Sequence, residues 1–187
     1  APSHHSAMKH VVGPRKEIGQ KSIFNILGPL TNPASAKRQL MGVYDKKWML
    51  PIAEVLKELG SEHLFIVHSE DGLDEISIAA PTSVVEMKNG NISEFQIHPE
   101  DFGFKASSLE GLEVNSPAKS LEIAKLALRG EHEKASAMIA MTAGAALYIS
   151  DIADSLDSGV QLAKDCIKEG GGIKKLNQLI DYSSTFK

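Results

Sequence analysis

Apolar residues in the first half of the chain group into runs that predict two buried strands with a helix between them. The segments QLMGVY at residues 39–44 and HLFIVH at residues 63–68 are short apolar runs typical of buried strands. Between them, KKWMLPIAEVLKELG has apolar residues at helical spacing and ends at Gly60, which suits a C-terminal cap. These apolar positions are Leu50, Ala53, Leu56 and Leu59. A strand, a helix and a strand in this order predict a parallel pair joined by a right-handed crossover.

Shorter apolar runs follow at residues 75–97. The segments EISIAA, SVVEMK and ISEFQI each have the length of a strand, and KNGN at residues 88–91 contains the Asn-Gly pair that suits a tight hairpin turn. We therefore expect three short strands here, which add an antiparallel hairpin to the sheet.

From Pro117 onward the pattern is helical. Four segments begin or end at Gly or at Ser/Asp start signals, and they cover residues 117–130, 132–150, 155–171 and 173–181. The second segment is rich in Ala and Met and is apolar around most of its girth, so it should be central, with its methionines in the core. The fold class predicted is α/β, with a mixed, mainly parallel central sheet flanked by helices and an antiparallel hairpin added.

Composition narrows the classes of protein and partner. With 42% hydrophobic and 24% charged residues, the chain is typical of a globular domain. A net charge of -4 argues against nucleic acid as the main partner, and no apolar run reaches the roughly 18 to 20 residues that cross a membrane. Cys166 is the only cysteine, so no disulfide forms within the chain. We interpret Cys166 as a small buried hydrophobic residue. A reducing compartment fits best, which predicts a cytoplasmic protein.

Two adjacent carboxylates carry the clearest chemical signal. Asp74 and Glu75 lie in EDGLDEIS, a Gly-containing loop that follows the predicted strand HLFIVH. An arbitrary acidic pair is usually a solvated turn. In open α/β sheets, however, ligands gather at the carboxyl ends of strands. Mg²⁺ is typically held by one or two carboxylates while substrate phosphates and waters complete its octahedron, so the pair predicts a magnesium site and a phosphorylated substrate.

The N-terminal segment offers a second candidate. Arg15 follows a Gly-Pro turn in VVGPRKEIG, and its planar guanidinium is the side chain best matched to a carboxylate or a phosphate. His4, His5 and His10 lack a regular ligand spacing and a partnering Cys or acid, which disfavours a transition-metal site. No G-x-S-x-G elbow, P-loop or G-x-G-x-x-G motif occurs, so no nucleophile signature is present.

Specific motifs occur in order along the chain: RKEIG at residues 15–19, FNILGPLTNP at residues 24–33, GLDE at residues 72–75 and PEDFGF at residues 99–104. Together with the opening segment APSHHSAMKH, they make the chain resemble the C-terminal part of the anthranilate phosphoribosyltransferase family, which acts second in tryptophan biosynthesis. The resemblance extends over essentially the whole chain. It implies an α/β domain of the nucleoside phosphorylase/phosphoribosyltransferase C-terminal type.

The resemblance also implies an activity and roles for particular residues. The family transfers the phosphoribosyl group from phosphoribosyl diphosphate (PRPP) to the amine of anthranilate. Its G-L-D-E acids bind Mg²⁺ at the diphosphate, which implies that role for Asp74 and Glu75. Its R-K-E-x-G arginine contacts the anthranilate carboxylate, which implies that role for Arg15. His5 and Pro29 match, less strongly, positions that line the anthranilate channel.

The same resemblance implies that part of the enzyme is missing. Family members carry an N-terminal helical domain and, ahead of the position matching Ala1, a G-T-G-G-D loop and a K-H-G-N segment that grip PRPP. We therefore expect residues 1–187 to be a single α/β domain truncated from a longer two-domain enzyme, and to be inactive alone. The parent enzyme is expected to be a homodimer, and the fragment to self-associate through an exposed sheet edge.

Two alternatives from other classes remain open at this point. A noncatalytic, nucleic-acid-binding relative of the same fold would have a basic surface and would lack the acidic pair of GLDE. A nucleoside phosphorylase of the related fold would also bind ribose and phosphate, although nothing in the chain resembles its base-binding signatures. An assay of the full-length parent for anthranilate-dependent consumption of PRPP separates the three.

Overall fold

A four-stranded sheet forms the centre of the protein, in a computed structural model that describes residues 10, 12–19, 27–32 and 34–186. The strands lie side by side in chain order: β1 (Arg38–Gly42), β2 (His63–Ser69), β3 (Thr82–Lys88) and β4 (Asn91–Ile97). β1 pairs parallel with β2, whereas β3 pairs antiparallel with both β2 and β4. The sheet is therefore mixed, as predicted. The expectation that it is mainly parallel is wrong for the described residues, because only the first connection between their strands is a crossover.

Helices cover both faces of this sheet. Two short helices precede β1, one helix joins β1 to β2, and four helices follow the hairpin: α1 (Val12–Ile18), α2 (Leu27–Leu30), α3 (Met49–Glu58), α4 (Pro117–Leu128), α5 (Glu133–Ile149), α6 (Leu156–Lys168) and α7 (Gly171–Ser184). α3 packs with Leu64 and Ile66 on one face, and α5 packs with Phe65 and Val67 on the other. Because alternate residues of β2 point to opposite faces, this strand is buried on both sides. None of the helices in this described part is long and apolar enough to cross a membrane.

The crossover helix was predicted correctly, but its buried face was not. α3 begins at Met49 after a short 3₁₀ turn (Lys46–Trp48), and Gly60 follows its end with a φ of 81°. Its buried residues are Met49, Ile52, Ala53 and Leu56. The predicted positions Leu50 and Leu59 are exposed. A series of steps of three residues drifts by about 60° per step around a helix, so its two ends leave the face that its centre occupies.

The hairpin forms as predicted, with Asn89 and Gly90 both at positive φ in the turn between β3 and β4. The predicted strand EISIAA at residues 75–80 is wrong, because this segment is a loop. Ile76 and Ile78 are nonetheless buried in the core. The backbone N–H groups of the segment donate to side chains instead of a neighbouring strand: that of Ser77 to Thr82 Oγ1, and that of Ala79 to Ser77 Oγ.

The Ala- and Met-rich helix is central, as its composition predicts. α5 contributes Ala137, Met141 and Ala145 to the core between the sheet and α6. It approaches α6 closely: a Cβ on Gly144 would lie 2.5 Å from the backbone of Val160. The prediction that Cys166 is buried is wrong, because this residue of α6 is exposed.

Candidate metal and substrate site

The predicted acidic pair lies where two parallel strands end. β1 and β2 run in the same direction, and Gly42 at the end of β1 is aligned with Val67 near the end of β2. The chain leaves β2 at Ser69 and returns to the sheet at Thr82, so residues 70–81 form a loop at the carboxyl edge of both strands. Asp74 and Glu75 are exposed in this loop. This placement is where open α/β sheets bind their ligands.

Gly42 sets how closely the loop approaches β1. A Cβ built on Gly42 would lie only 1.6 Å from the backbone carbonyl oxygen of Asp74 and 2.5 Å from its carbonyl carbon. Any other residue at this position would therefore collide with the backbone that carries the acidic pair. A glycine inside a strand is a known sign of such close backbone approach. This signal was present in QLMGVY, but no role was predicted for Gly42 from the sequence.

Backbone hydrogen bonds hold both ends of the loop. The N–H of Ser69 donates to Leu73 O at 2.9 Å, and the N–H of Glu70 donates to Pro81 O at 3.0 Å. The N–H of Gly72 also donates to Ser69 O at 2.9 Å. The turn that precedes the acidic pair is therefore tied to the last residue of β2.

The surroundings of Glu75 disfavour the charge of its carboxylate. Loss of hydration, together with the negative charge of neighbouring Asp74, raises the pKa of the Glu75 carboxyl above its ordinary value. The arrangement therefore favours a cation beside the pair, which would offset both effects.

The two carboxylates suit a hard cation whose remaining ligands come from a substrate. Among the described residues, no group of three or more His, Cys, Asp or Glu side chains could hold a metal ion. Two exposed carboxylates cannot form a complete cage, but they match Mg²⁺, which keeps several waters and takes phosphate oxygens as further ligands. On chemistry and exposure, Asp74 and Glu75 fit the predicted ion.

The other predicted site residues are placed less fully. Arg15 lies in α1. His5 lies outside the described residues. Pro29 lies in α2 and lines a cavity of about 250 Å³ with Lys37 and Ser61, which lie one and two residues before β1 and β2. Pro29 is therefore at the amino end of the parallel strands, whereas the acidic pair is at their carboxyl end, and the structure does not bring the two together.

Comparison with known proteins assigns the fold and site to a class. The family described as "Glycosyl transferase family, a/b domain" matches residues 1–173. The chain therefore belongs to this glycosyl transferase family, of which it carries the α/β domain.

Two similar relatives are both named anthranilate phosphoribosyltransferase. An anthranilate phosphoribosyltransferase of Marinomonas sp. (strain MWYL1) is 54% identical over 188 residues, a match that covers 100% of this chain and 54% of that protein. An anthranilate phosphoribosyltransferase of Ectopseudomonas mendocina (strain ymp) is 52% identical, and the match covers 100% of this chain and 55% of that protein. The chain thus spans about half the length of the curated relatives it matches.

Solved structures agree in fold over the same part. A crystal structure of anthranilate phosphoribosyltransferase from Thermus thermophilus has a TM-score of 0.86 and 35% identity, covering 95% of this chain and 53% of that one. The enzyme from Saccharomyces cerevisiae in complex with PRPP and Mg has a TM-score of 0.83 and 27% identity, covering 97% of this chain and 52% of that one. The predicted resemblance to this enzyme family is confirmed.

Proposed function

We propose that this chain is the α/β part of an enzyme that transfers the phosphoribosyl group of PRPP to the amine of anthranilate in tryptophan biosynthesis. The observation that carries the proposal is the exposed pair Asp74 and Glu75 at the carboxyl ends of β1 and β2. Its support comes from relatives of that name that match the whole chain at 50% identity or more, and from a yeast relative solved with PRPP and Mg. The test is anthranilate-dependent consumption of PRPP by a protein that carries this chain at the length of its relatives.

Asp74 and Glu75 are the residues we assign to magnesium. Their carboxylates would supply two protein ligands, and phosphate oxygens of PRPP with waters would supply the rest. When bound, Mg²⁺ offsets the negative charge that develops on the diphosphate leaving group as its bond to the ribose breaks. The loop carries both carboxylates to the carboxyl edge of two parallel strands, where open α/β sheets bind their ligands. Loss of hydration and the neighbouring charge of Asp74 raise the pKa of Glu75, and a cation beside its carboxylate would offset both effects.

Arg15 is the residue we assign to anthranilate. Its guanidinium would bind the substrate carboxylate through paired hydrogen bonds and so orient the amine toward the ribose carbon. The aromatic amine is neutral at pH 7, so no strong general base is required. His5 and Pro29 remain weaker candidates for lining the anthranilate channel. The position of Pro29 at the amino end of β1 gives its assignment no support.

Replacing Arg15 with Ala should weaken anthranilate binding by about 1.5 to 3 kcal/mol, the scale of a charge-assisted hydrogen-bond pair. The Michaelis constant for anthranilate should rise accordingly, while that for PRPP should hardly change. Arg129→Ala is a suitable control, because Arg129 is exposed between α4 and α5 and is paired only loosely with Glu131, at 3.8 Å. An unchanged Michaelis constant for anthranilate in the Arg15 variant would refute the assignment.

The outer strand β1 supports a further proposal about assembly. Among the described strands, β1 borders only β2, so its other edge is a template for a further strand. We propose that the parent enzyme is a cytoplasmic homodimer and that the 187-residue chain, prepared alone, buries this edge against another copy. Light scattering coupled to gel filtration should then detect dimers or larger species whose population rises with concentration. A monodisperse monomer across the same range would contradict the proposal for the isolated chain.

A further inference from the structure

The acidic loop contains two further carboxylates, Glu70 and Asp71, beside the two assigned to the metal, and the surroundings of Asp71 differ from those of the assigned pair. Asp71 precedes Asp74 by three residues, and both of its carboxylate oxygens are used within the loop. Its Oδ1 accepts a hydrogen bond from the N–H of Leu73 at 3.2 Å, and its Oδ2 accepts one from Ser77 Oγ at 2.5 Å. The side chains of Asp74 and Glu75 have no hydrogen-bond partner of this kind among the contacts in the described chain. Asp71 is therefore engaged within the loop itself, whereas Asp74 and Glu75 are available to a ligand.

Ser77 connects this carboxylate to the core. It is only 1% exposed, and its hydroxyl accepts the N–H of Ala79 at 2.9 Å while donating to Asp71. Its own N–H donates to Oγ1 of Thr82, the first residue of β3, which is also 1% exposed. The bonds form a continuous series from Asp71, before the acidic pair, to the start of the next strand, after it.

We propose that Asp71 and Ser77 are positioning residues that hold Asp74 and Glu75 in their metal-binding arrangement, and that Asp71 is not itself a metal ligand. The inference rests on the proposed function, because it explains how that site is built. A hydrogen bond from a buried hydroxyl to a carboxylate is about twice as strong as a neutral one. It links the two ends of segment 71–77 and so restricts the geometries open to the acids between them.

Geometry of this kind controls metal affinity. Two carboxylates bind one ion only when their oxygens lie within a few tenths of an ångström of the required positions. Residues that orient metal ligands without touching the ion typically change metal affinity by about 10- to 100-fold when they are replaced. Asp71 and Ser77 would stand in that relation to the acidic pair, and Gly42 lies against the backbone of Asp74 itself.

The experiment compares four variants with the wild type in a protein that carries this chain at the length of its relatives. The readout is the Mg²⁺ concentration that gives half-maximal transfer at saturating anthranilate and PRPP. Asp71→Ala and Ser77→Ala should each raise it by about 10-fold or more. Asp71→Asn should raise it less than Asp71→Ala does, because the amide oxygen can still accept one of the two hydrogen bonds. Glu70→Gln is the matched control: it removes the same charge from the neighbouring residue, whose carboxylate bonds only the exposed side chain of Gln96, and it should change nothing.

Hydrogen exchange supplies a readout that does not depend on the reaction. The amide protons of Leu73 and Ala79 are held by Asp71 and Ser77, so they should exchange faster in Asp71→Ala and Ser77→Ala and at the wild-type rate in Glu70→Gln. Faster exchange in the two variants, together with a wild type that shows no magnesium dependence, would show that Asp71 and Ser77 order the loop but would refute the proposed function. Asp71→Asn as damaging as Asp71→Ala would identify Asp71 as a ligand and overturn the inference. An unchanged Mg²⁺ requirement in Ser77→Ala would overturn it as well.

Discussion

Replacing Asp74 with Asn and Glu75 with Gln together should abolish magnesium-dependent transfer while the fold stays intact. Both protein ligands of the proposed ion are removed, and the loss of charge stabilisation at a leaving group typically costs at least about 100-fold in rate. The free energy of unfolding should change by less than about 0.5 kcal/mol, because both side chains are exposed. The raised pKa of Glu75 supports this expectation, since the folded state does not favour the charge of its carboxylate. The measurements are steady-state rates over a Mg²⁺ titration and denaturant unfolding.

A control with the same change of charge separates local from general electrostatics. Glu54 and Glu58 are exposed on α3, four residues apart, and replacing both with Gln also removes two negative charges. This variant should keep the wild-type dependence on Mg²⁺. If the Asp74 and Glu75 double variant retained magnesium-dependent turnover at a similar rate, the metal assignment would be wrong.

Gly42→Ala should damage both stability and magnesium use. The added Cβ would lie 1.6 Å from the carbonyl oxygen of Asp74, so either the loop or the end of β1 must move by more than about 1 Å to reach an ordinary contact distance. Overpacking of this kind costs about 1 to 3 kcal/mol of folding free energy. A displacement of about 1 Å can cost on the order of 100-fold in rate when it separates groups that must act together. Denaturant unfolding measures the first effect, and the Mg²⁺ dependence of turnover measures the second.

A second glycine distinguishes a local effect at the site from a general loss of stability. Gly144→Ala places a Cβ 2.5 Å from the backbone of Val160, between α5 and α6 and away from the acidic loop. It should also lower the free energy of unfolding, yet the folded protein should need the same Mg²⁺ concentration for half-maximal turnover. A Gly42 variant with an unaltered Mg²⁺ requirement would contradict the proposed role of this contact.

Local patterns predicted the elements of this protein better than they predicted its faces and pairings. The α3 helix, the Asn-Gly hairpin and the four late helices all follow from short-range spacing and turn residues. The buried face of α3 did not, because several apolar stripes are possible on one helix and only packing against Leu64 and Ile66 selects one. EISIAA has the pattern of a strand because its isoleucines alternate, but they reach the core from a loop. Its N–H groups bond to Ser77 and Thr82 side chains, a choice that apolar periodicity does not reveal.

Within the candidate site, too, the sequence predicted some features and not others. Asp74 and Glu75 were identifiable from the sequence, because adjacent carboxylates after an apolar strand are a compact local pattern and because GLDE belongs to a specific family motif. Asp71 stands in the same loop with the same charge, and no local rule separates its role from theirs. The difference appears only when Ser77, six residues later, turns its hydroxyl toward Asp71 at 2.5 Å.

By itself, the sequence of this protein determined its family, its helices and hairpin, and the acids proposed to face a metal ion, because each is encoded in residues that are close along the chain or in an ordered set of motifs. Only the tertiary structure decided that the described sheet has more antiparallel than parallel pairs, that Gly42 bears on the backbone of Asp74, and that Pro29 lies at the opposite end of the strands from the acidic pair. The physical reason is the same in each case. These features depend on contacts between segments distant in the chain, and such contacts are selected by packing of the whole domain rather than by the preferences of either segment.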